Sequence, residues 1–405
     1  MKARQSTFVQ LAFLITFLAA SAVSTTAQCD ELQKLTAAGG QPGDFYGCAV
    51  SMSGDIAVVG APNHPFAAPI PGPGAVFVYH RQGSGPWQLA AMLTAPSGDD
   101  NPGDQFGAAV SIDGDLLAVG APNDDQLYEN SGAVYVFHRN GSSWGFEEKL
   151  LPFNINSISL GRSVALWDDS IVAGATYGTT GAAFAYRRDG SQWTEEAHLV
   201  PTNSQALEFG FAVALYQDTA LIGAPLTSSL AGTAYFFHRT GATWTQQAEI
   251  QNPTPAPFDL FGQSVAIQGR WAVVGTPYDS TVSHNTGAAY VYRQDMTGAW
   301  SYLQDLMPSD GSSGGHLFGW ACTITGGKIV IGAPQAGVLF EGAAYQFNVS
   351  GTTWSEVAKY TASDPDGSDW FGYAVGVGNY SLIGAYLDDG IGLDAGAAYL
   401  TELCP

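Results

Sequence analysis

Seven copies of one phrase run through this chain, and that repetition limits its possible folds more than any other feature. An aromatic residue or Leu followed by Gly opens each copy: Tyr46-Gly47, Phe106-Gly107, Leu160-Gly161, Phe209-Gly210, Phe261-Gly262, Phe318-Gly319 and Phe371-Gly372. The openers lie 60, 54, 49, 52, 57 and 53 residues apart. A Gly-Ala-Pro-like triplet follows each opener, and a Gly-Ala-aromatic segment follows the triplet. Units of this length made of short apolar runs are small sheets that cannot bury their own faces, so they must stack into one array. Length alone suggests two or three domains, but a closed repeat array accommodates 29–404 as a single all-β domain.

Each unit reads as four strands. In the second unit these are 106–112, 116–120, 132–139 and 144–151, rich in Val, Tyr and Phe and bounded by Gly, Asp, Asn and Pro. The fourth strand is marked by Trp87, Trp144, Trp193, Trp244, Trp300 and Trp354, which is six tryptophans for seven units. The seventh unit stops after three strands, and its missing pattern stands at the front, where Glu31-Leu32-Gln33-Lys34-Leu35 resembles Glu147-Glu148-Lys149-Leu150-Leu151. The N-terminal strand is therefore expected to complete the last unit, closing a ring and removing a free sheet edge. Cys29 and Cys404 flank the two strands that must pair there, which predicts a disulfide between them in an oxidising compartment. Cys48 and Cys322 fall in units that are not ring neighbours and read as buried core thiols.

Residues 1–27 read as a secretory signal peptide: Lys2 and Arg4 precede an apolar stretch from 8 to 20 that is too short for a comfortable membrane span, and small residues follow. No other segment has the length and apolarity of a membrane span. An exported protein is expected, secreted to the exterior or held in a periplasm, and working as a monomer. The net charge of −22 makes nucleic acid and anionic membranes poor partners, leaving a glycan or an extracellular protein.

The aromatic-Gly openers, followed by Gly60-Ala61-Pro62, Gly120-Ala121-Pro122, Gly223-Ala224-Pro225 and Gly332-Ala333-Pro334, resemble the FG-GAP repeat of integrin α-subunits. Degenerate copies stand at Gly174-Ala175-Thr176, Gly275-Thr276-Pro277 and Gly384-Ala385-Tyr386. The likeness is nearest to secreted, bacterial-type FG-GAP proteins. It implies a seven-bladed β-propeller of four-stranded blades, extracellular and tied to adhesion or ligand binding, although fold does not fix function. Integrin repeats carry an Asp-rich calcium loop between strands one and two. Here those connections are tight turns, such as Gln268-Gly269-Arg270, so the integrin-type calcium sites do not carry over.

In a propeller of this kind the strand 2–3 and strand 4–1 loops share one face. They are the long loops of this chain, at 63–73, 123–131, 278–286 and 387–395 and at 97–104, 308–316 and 363–369. Long, unequal loops on a rigid ring are the default binding surface. Two residues before the openers stand Asp44, Asp104, Ile158, Leu207, Asp259, His316 and Asp369. The carboxylates read either as caps on the turn entering strand one or as a partial ring at the channel mouth able to hold calcium. The best single cation loop is 364–369, with Asp364, Asp366 and Asp369 as its oxygen ligands. Immediately after the opener Gly stand Cys48, Ala108, Arg162, Phe211, Gln263, Trp320 and Tyr373. Variation in so fixed a frame either fills unequal gaps between blades or, through Arg162, Trp320, Tyr373 and His316, binds a sugar by stacking and hydrogen bonding. No nucleophile elbow, metalloprotease or phosphate-loop motif is present, so no catalytic residues are assigned. The leading reading is a non-enzymatic binding or adhesion module for a glycan or protein. The alternative is a polysaccharide lyase or glycoside hydrolase on the same scaffold. The chain demands no cofactor, and calcium is the one cation its loops suggest.

Overall fold

The structure is a computed structural model, and it describes residues 29–65, 70–152, 159–176, 181–203, 206–311 and 314–405. The expected signal peptide and Ile158 lie outside these residues. Seven four-stranded antiparallel sheets form a ring, with a single helical turn at Thr227–Leu230 among the described residues. In blade 1 the strands run, from the axis outward, Ala49–Ser53, Ile56–Ala61, Ala75–Arg81 and Trp87–Leu93. The first strands of neighbouring blades meet one another around the axis. Strand two is buried along its whole length in Ile56–Ala61 and Leu116–Ala121, and in all but its first residue in Thr219–Ala224, Trp271–Thr276 and Lys328–Ala333. This explains why it reads as a continuous apolar run, whereas the outer strand four alternates.

Blade 7 is built from Ala374–Val377, Ser381–Ala385 and Ala397–Thr401, and its outer strand is the N-terminal Glu31–Leu35. Lys34 pairs with Tyr399 and Leu35 with Ala398. The Cys29–Cys404 disulfide locks this closure with Cα atoms 5.9 Å apart. Cys48 and Cys322 are free thiols, as the sequence implies, but half-buried and not in the core. They lie at the inner seams between blades: Cys48 Sγ is 4.0 Å from the carbonyls of both Gly60 and Gly107, and the Ser264 hydroxyl donates to Cys322 Sγ at 3.3 Å. Burial pushes both thiols up to about 12.

The repeated phrase has one mechanical meaning. The triplet Gly of each blade meets the opener Gly of the next: a Cβ on Gly60 would stand 2.0 Å from the Gly107 carbonyl oxygen, and one on Gly384 would stand 1.9 Å from that of Gly47. The opener glycines also hold φ near +90, as at Gly107 (φ 93), which side chains rarely tolerate. The motif is thus a seam between blades, and its seventh instance closes the ring. Apolar burial follows the same logic. Seven core clusters occupy the seven seams, each drawing on two adjacent blades, so no blade encloses a core of its own.

Candidate functional site at the axial mouth

On the long-loop face, each opener is preceded by a residue forced into the left-handed region: Phe45, Gln105, Ser159, Glu208, Leu260, Leu317 and Trp370, with φ between 51 and 60. Non-Gly residues there cost about 1–3 kcal/mol each unless the surroundings hold them. Here the hydrogen bonds of the turn hold them. The backbone N–H of Asn63, Asn123, Tyr278, Gln335 and Leu387 donates to the carbonyl two residues before the opener, that of Asp44, Asp104, Asp259, His316 and Asp369 respectively.

The carboxylates at that position cap the same turn. Asp44 accepts from the N–H of Gln41 (2.7 Å), Asp104 from Asn101 (3.3 Å), Asp259 from Ala256 (2.8 Å) and Asp369 from Asp366 (2.8 Å). All four are nearly buried, and Asp44 also meets His64 Nδ1 at 2.7 Å. Burial, with neighbouring carboxylates adding to it, pushes Asp104 and Asp369 up to about 6. Within the 364–369 loop, Asp364 accepts from Lys34 Nζ (2.8 Å) and the Tyr399 hydroxyl (2.9 Å), while Asp366 accepts from the Gly367 N–H (2.7 Å). The Lys34–Asp364–Asp388–Tyr399 group has a counterpart in blade 2, where Lys149 meets Asp99 and Asp124 and Tyr135 donates to Asp124. It is therefore a recurring brace behind the loops. Among the described residues, no three His, Cys, Asp or Glu side chains converge as a metal would require.

The structure gathers two of the four suggested sugar contacts into a larger aromatic group. Trp320 of blade 6 and Tyr373 of blade 7 lie 5.6 Å apart, and Trp370 stands 6.2 Å from each. Tyr386 packs on Tyr373 at 4.1 Å, and Phe45 of blade 1 meets Tyr386 edge-on at 5.5 Å. All five rings are half-buried, so part of each faces solvent. Arg162 is exposed and lies over the Phe211 ring at 5.1 Å. Burial raises Tyr373, with Cys48 and Tyr386 adding to the shift and Arg162 opposing it; Arg162 also opposes the burial that raises Glu208. The guanidinium is thus within electrostatic reach of the aromatic group. His316 is buried at 4 % exposure, and burial lowers its pKa.

Phe45, Trp370 and Tyr386 were not singled out from the sequence. Tyr386 stands where most triplets have Pro, and Phe45 and Trp370 occupy the strained position before the opener. An aromatic residue at either place was the available signal.

A protein-family profile described as FG-GAP repeat matches residues 29–79, 87–137, 193–237, 244–292 and 354–401. The chain belongs to the FG-GAP repeat family. Four of the five matches begin in a fourth strand, the first begins at Cys29 just before the strand that closes the ring, and all five end in the third strand of the following blade. The unmatched stretches hold the openers Leu160-Gly161 and Phe318-Gly319, whose blades the structure builds in the same way. No match was found among curated proteins. Among the described residues, no helix is long and apolar enough to cross a membrane.

Proposed function

We propose that this FG-GAP propeller is an exported, non-enzymatic module that binds a glycan at the axial mouth of its long-loop face. The observation that carries this reading is the partly exposed aromatic group Trp320, Trp370, Tyr373, Tyr386 and Phe45, with Arg162 in electrostatic reach. Aromatic faces accept the apolar faces of sugar rings, and a guanidinium offers a fixed fork of donors to hydroxyl oxygens. Rigid rings on a closed scaffold lose little entropy on binding. The disulfide agrees with an oxidising compartment. The lyase or hydrolase alternative gains nothing comparable, because His316, the acid–base group it would draw on, is buried.

The test is depletion of the purified protein by a panel of insoluble and immobilised polysaccharides, repeated with Trp320→Ala/Trp370→Ala. Retention on at least one glycan is expected, weakened about tenfold or more in the variant, since truncating a central aromatic anchor typically costs above 1–2 kcal/mol. Retention on none, or equal retention of the variant, overturns the proposal.

A further inference from the structure

A second site follows from a break in the repeat on the opposite, short-turn side. Strand four of every blade carries one extra residue against strand three: Ala90, Glu147, Glu196, Gln247, Leu303, Val357 and, on the closing strand, Leu32. Such a bulge re-aims its side chain, and in five seams the side chain meets the strand-four Trp of the next blade; the blade after Val357 has no Trp on its fourth strand. Glu147 accepts from Trp193 Nε1 (2.9 Å) and from Arg188 Nε and Nη2 (2.7 and 2.8 Å). Glu196 accepts from Trp244 Nε1 (2.8 Å) and Arg239 Nη1 (3.4 Å). Gln247 accepts from Trp300 Nε1 at 3.3 Å. Leu32 and Leu303 instead cover Trp87 and Trp354 with apolar groups, leaving those indoles 3 % and 2 % exposed.

Ala90 does neither. Its methyl group offers Trp144 no hydrogen-bonding partner. A cavity of about 440 Å³ lies between blades 1 and 2, lined by Trp144, Arg139, His80, Gln88, Leu89 and Ser142. The seam between blades 3 and 4 holds a cavity of about 850 Å³ at the equivalent place, but there Glu196 supplies a carboxylate to its lining, so what sets the first cavity apart is the absent carboxylate and not the space. The volume of the first cavity lies within the range of about 300–1,000 Å³ usual for small-ligand sites. Arg139 is held as Arg239 is: its Nε and Nη2 engage Asp115 (2.7 and 2.6 Å), as those of Arg239 engage Asp218 (2.8 and 2.6 Å). In Arg239 the remaining Nη1 meets the carboxylate of the preceding blade, and in Arg139 the corresponding partner is missing.

We infer that this cavity binds the carboxylate of a uronic acid residue, with the carboxylate taking the place that Glu147 and Glu196 occupy in the next two seams. By analogy with Trp193 and Arg188 around Glu147 and with Trp244 and Arg239 around Glu196, its donors are Trp144 Nε1 and Arg139 Nη1, both residues lining the cavity. The volume beyond a carboxylate admits a ring, the flanks of Trp144 and Leu89 suit its apolar face, and Gln88, Ser142 and His80 suit its hydroxyls. On a chain of net charge −22, an anion is held only where donors are fixed in advance, as they are here.

The experiment is titration of the purified protein with glucuronate, galacturonate, glucose and acetate, read by calorimetry and by the indole N–H resonance of Trp144, assigned with Trp144→Phe. Either uronate is expected to bind at least about tenfold more tightly than glucose and acetate and to shift that resonance. Arg139→Gln is expected to weaken it about tenfold or more, and Ala90→Glu, which supplies the missing carboxylate from within the chain, is expected to abolish it. Uronates binding no better than glucose, or binding unchanged in Ala90→Glu, overturns the inference. Acetate binding as tightly as a uronate overturns the assignment to a sugar.

Discussion

Replacing both Cys29 and Cys404 with Ser tests how the ring is held shut. The disulfide joins residues 375 apart in sequence. In the chain-entropy treatment, a loop of that length restricts the unfolded chain by about 6 kcal/mol at 25 °C, and real disulfides deliver less, so about 3–5 kcal/mol is the expected loss. The fold itself is expected to survive, because the closing strand is pinned in other ways. Gln33 exchanges two hydrogen bonds with the backbone of Trp87 (3.1 and 2.9 Å), Lys34 meets Asp364 and Asp388 at 2.8 Å each, and Glu31 accepts from Ser363 N and Oγ (3.1 and 3.0 Å). Urea unfolding followed by tryptophan fluorescence reads the loss. At a slope of about 3 kcal/mol per molar urea, the midpoint falls by about 1–1.7 M. A shift below about 0.3 M would show that the disulfide does not constrain the unfolded chain, and the ring-closure reasoning would be wrong.

Two further perturbations act on the scaffold. Gly60→Ala places a Cβ 2.0 Å from the Gly107 carbonyl and drives two inner strands apart, so a loss of more than about 3 kcal/mol is expected in the same urea assay, whereas Gly54→Ala, whose Cβ meets nothing within 4 Å, costs about 1 kcal/mol for its positive φ. Asp104 and Asp369 hold their protons up to about pH 6 in the folded protein, above the ordinary carboxylate value, so the native state binds more protons than the unfolded state between about pH 4 and 6. Their contribution to stability is full below about pH 4 and is lost as pH rises through 6. The fall in unfolding midpoint from pH 4.5 to pH 7 is therefore expected to shrink in Asp104→Asn/Asp369→Asn, and an unchanged fall would refute the assignment.

Features that backbone sterics impose were legible in the sequence. Each opener Gly and triplet Gly is demanded by the close approach of two backbones, so the seams and their number could be read directly. Six tryptophans for seven fourth strands exposed the missing strand, and with it the closure and the disulfide, because pairing partners at a ring junction have no alternative. The site was less legible because it depends on side chains that meet only after seven units close. Trp320 and Tyr373 were found from their variability, but Trp370 and Phe45 sit at left-handed turn positions whose identity is free, and Tyr386 was read as a decayed triplet. Ala90 was invisible for a different reason. The bulge shifts the two-residue period of strand four, so its side chain falls outside the alternation by which strands are read.

The most direct measurement is a structure of the complex with whichever oligosaccharide the protein retains. The account predicts sugar rings stacked on Trp320, Trp370 or Tyr373 at the axial mouth of the long-loop face, with Arg162 donating to them. An oligosaccharide seated elsewhere on the ring, with that aromatic group left bare, would contradict it.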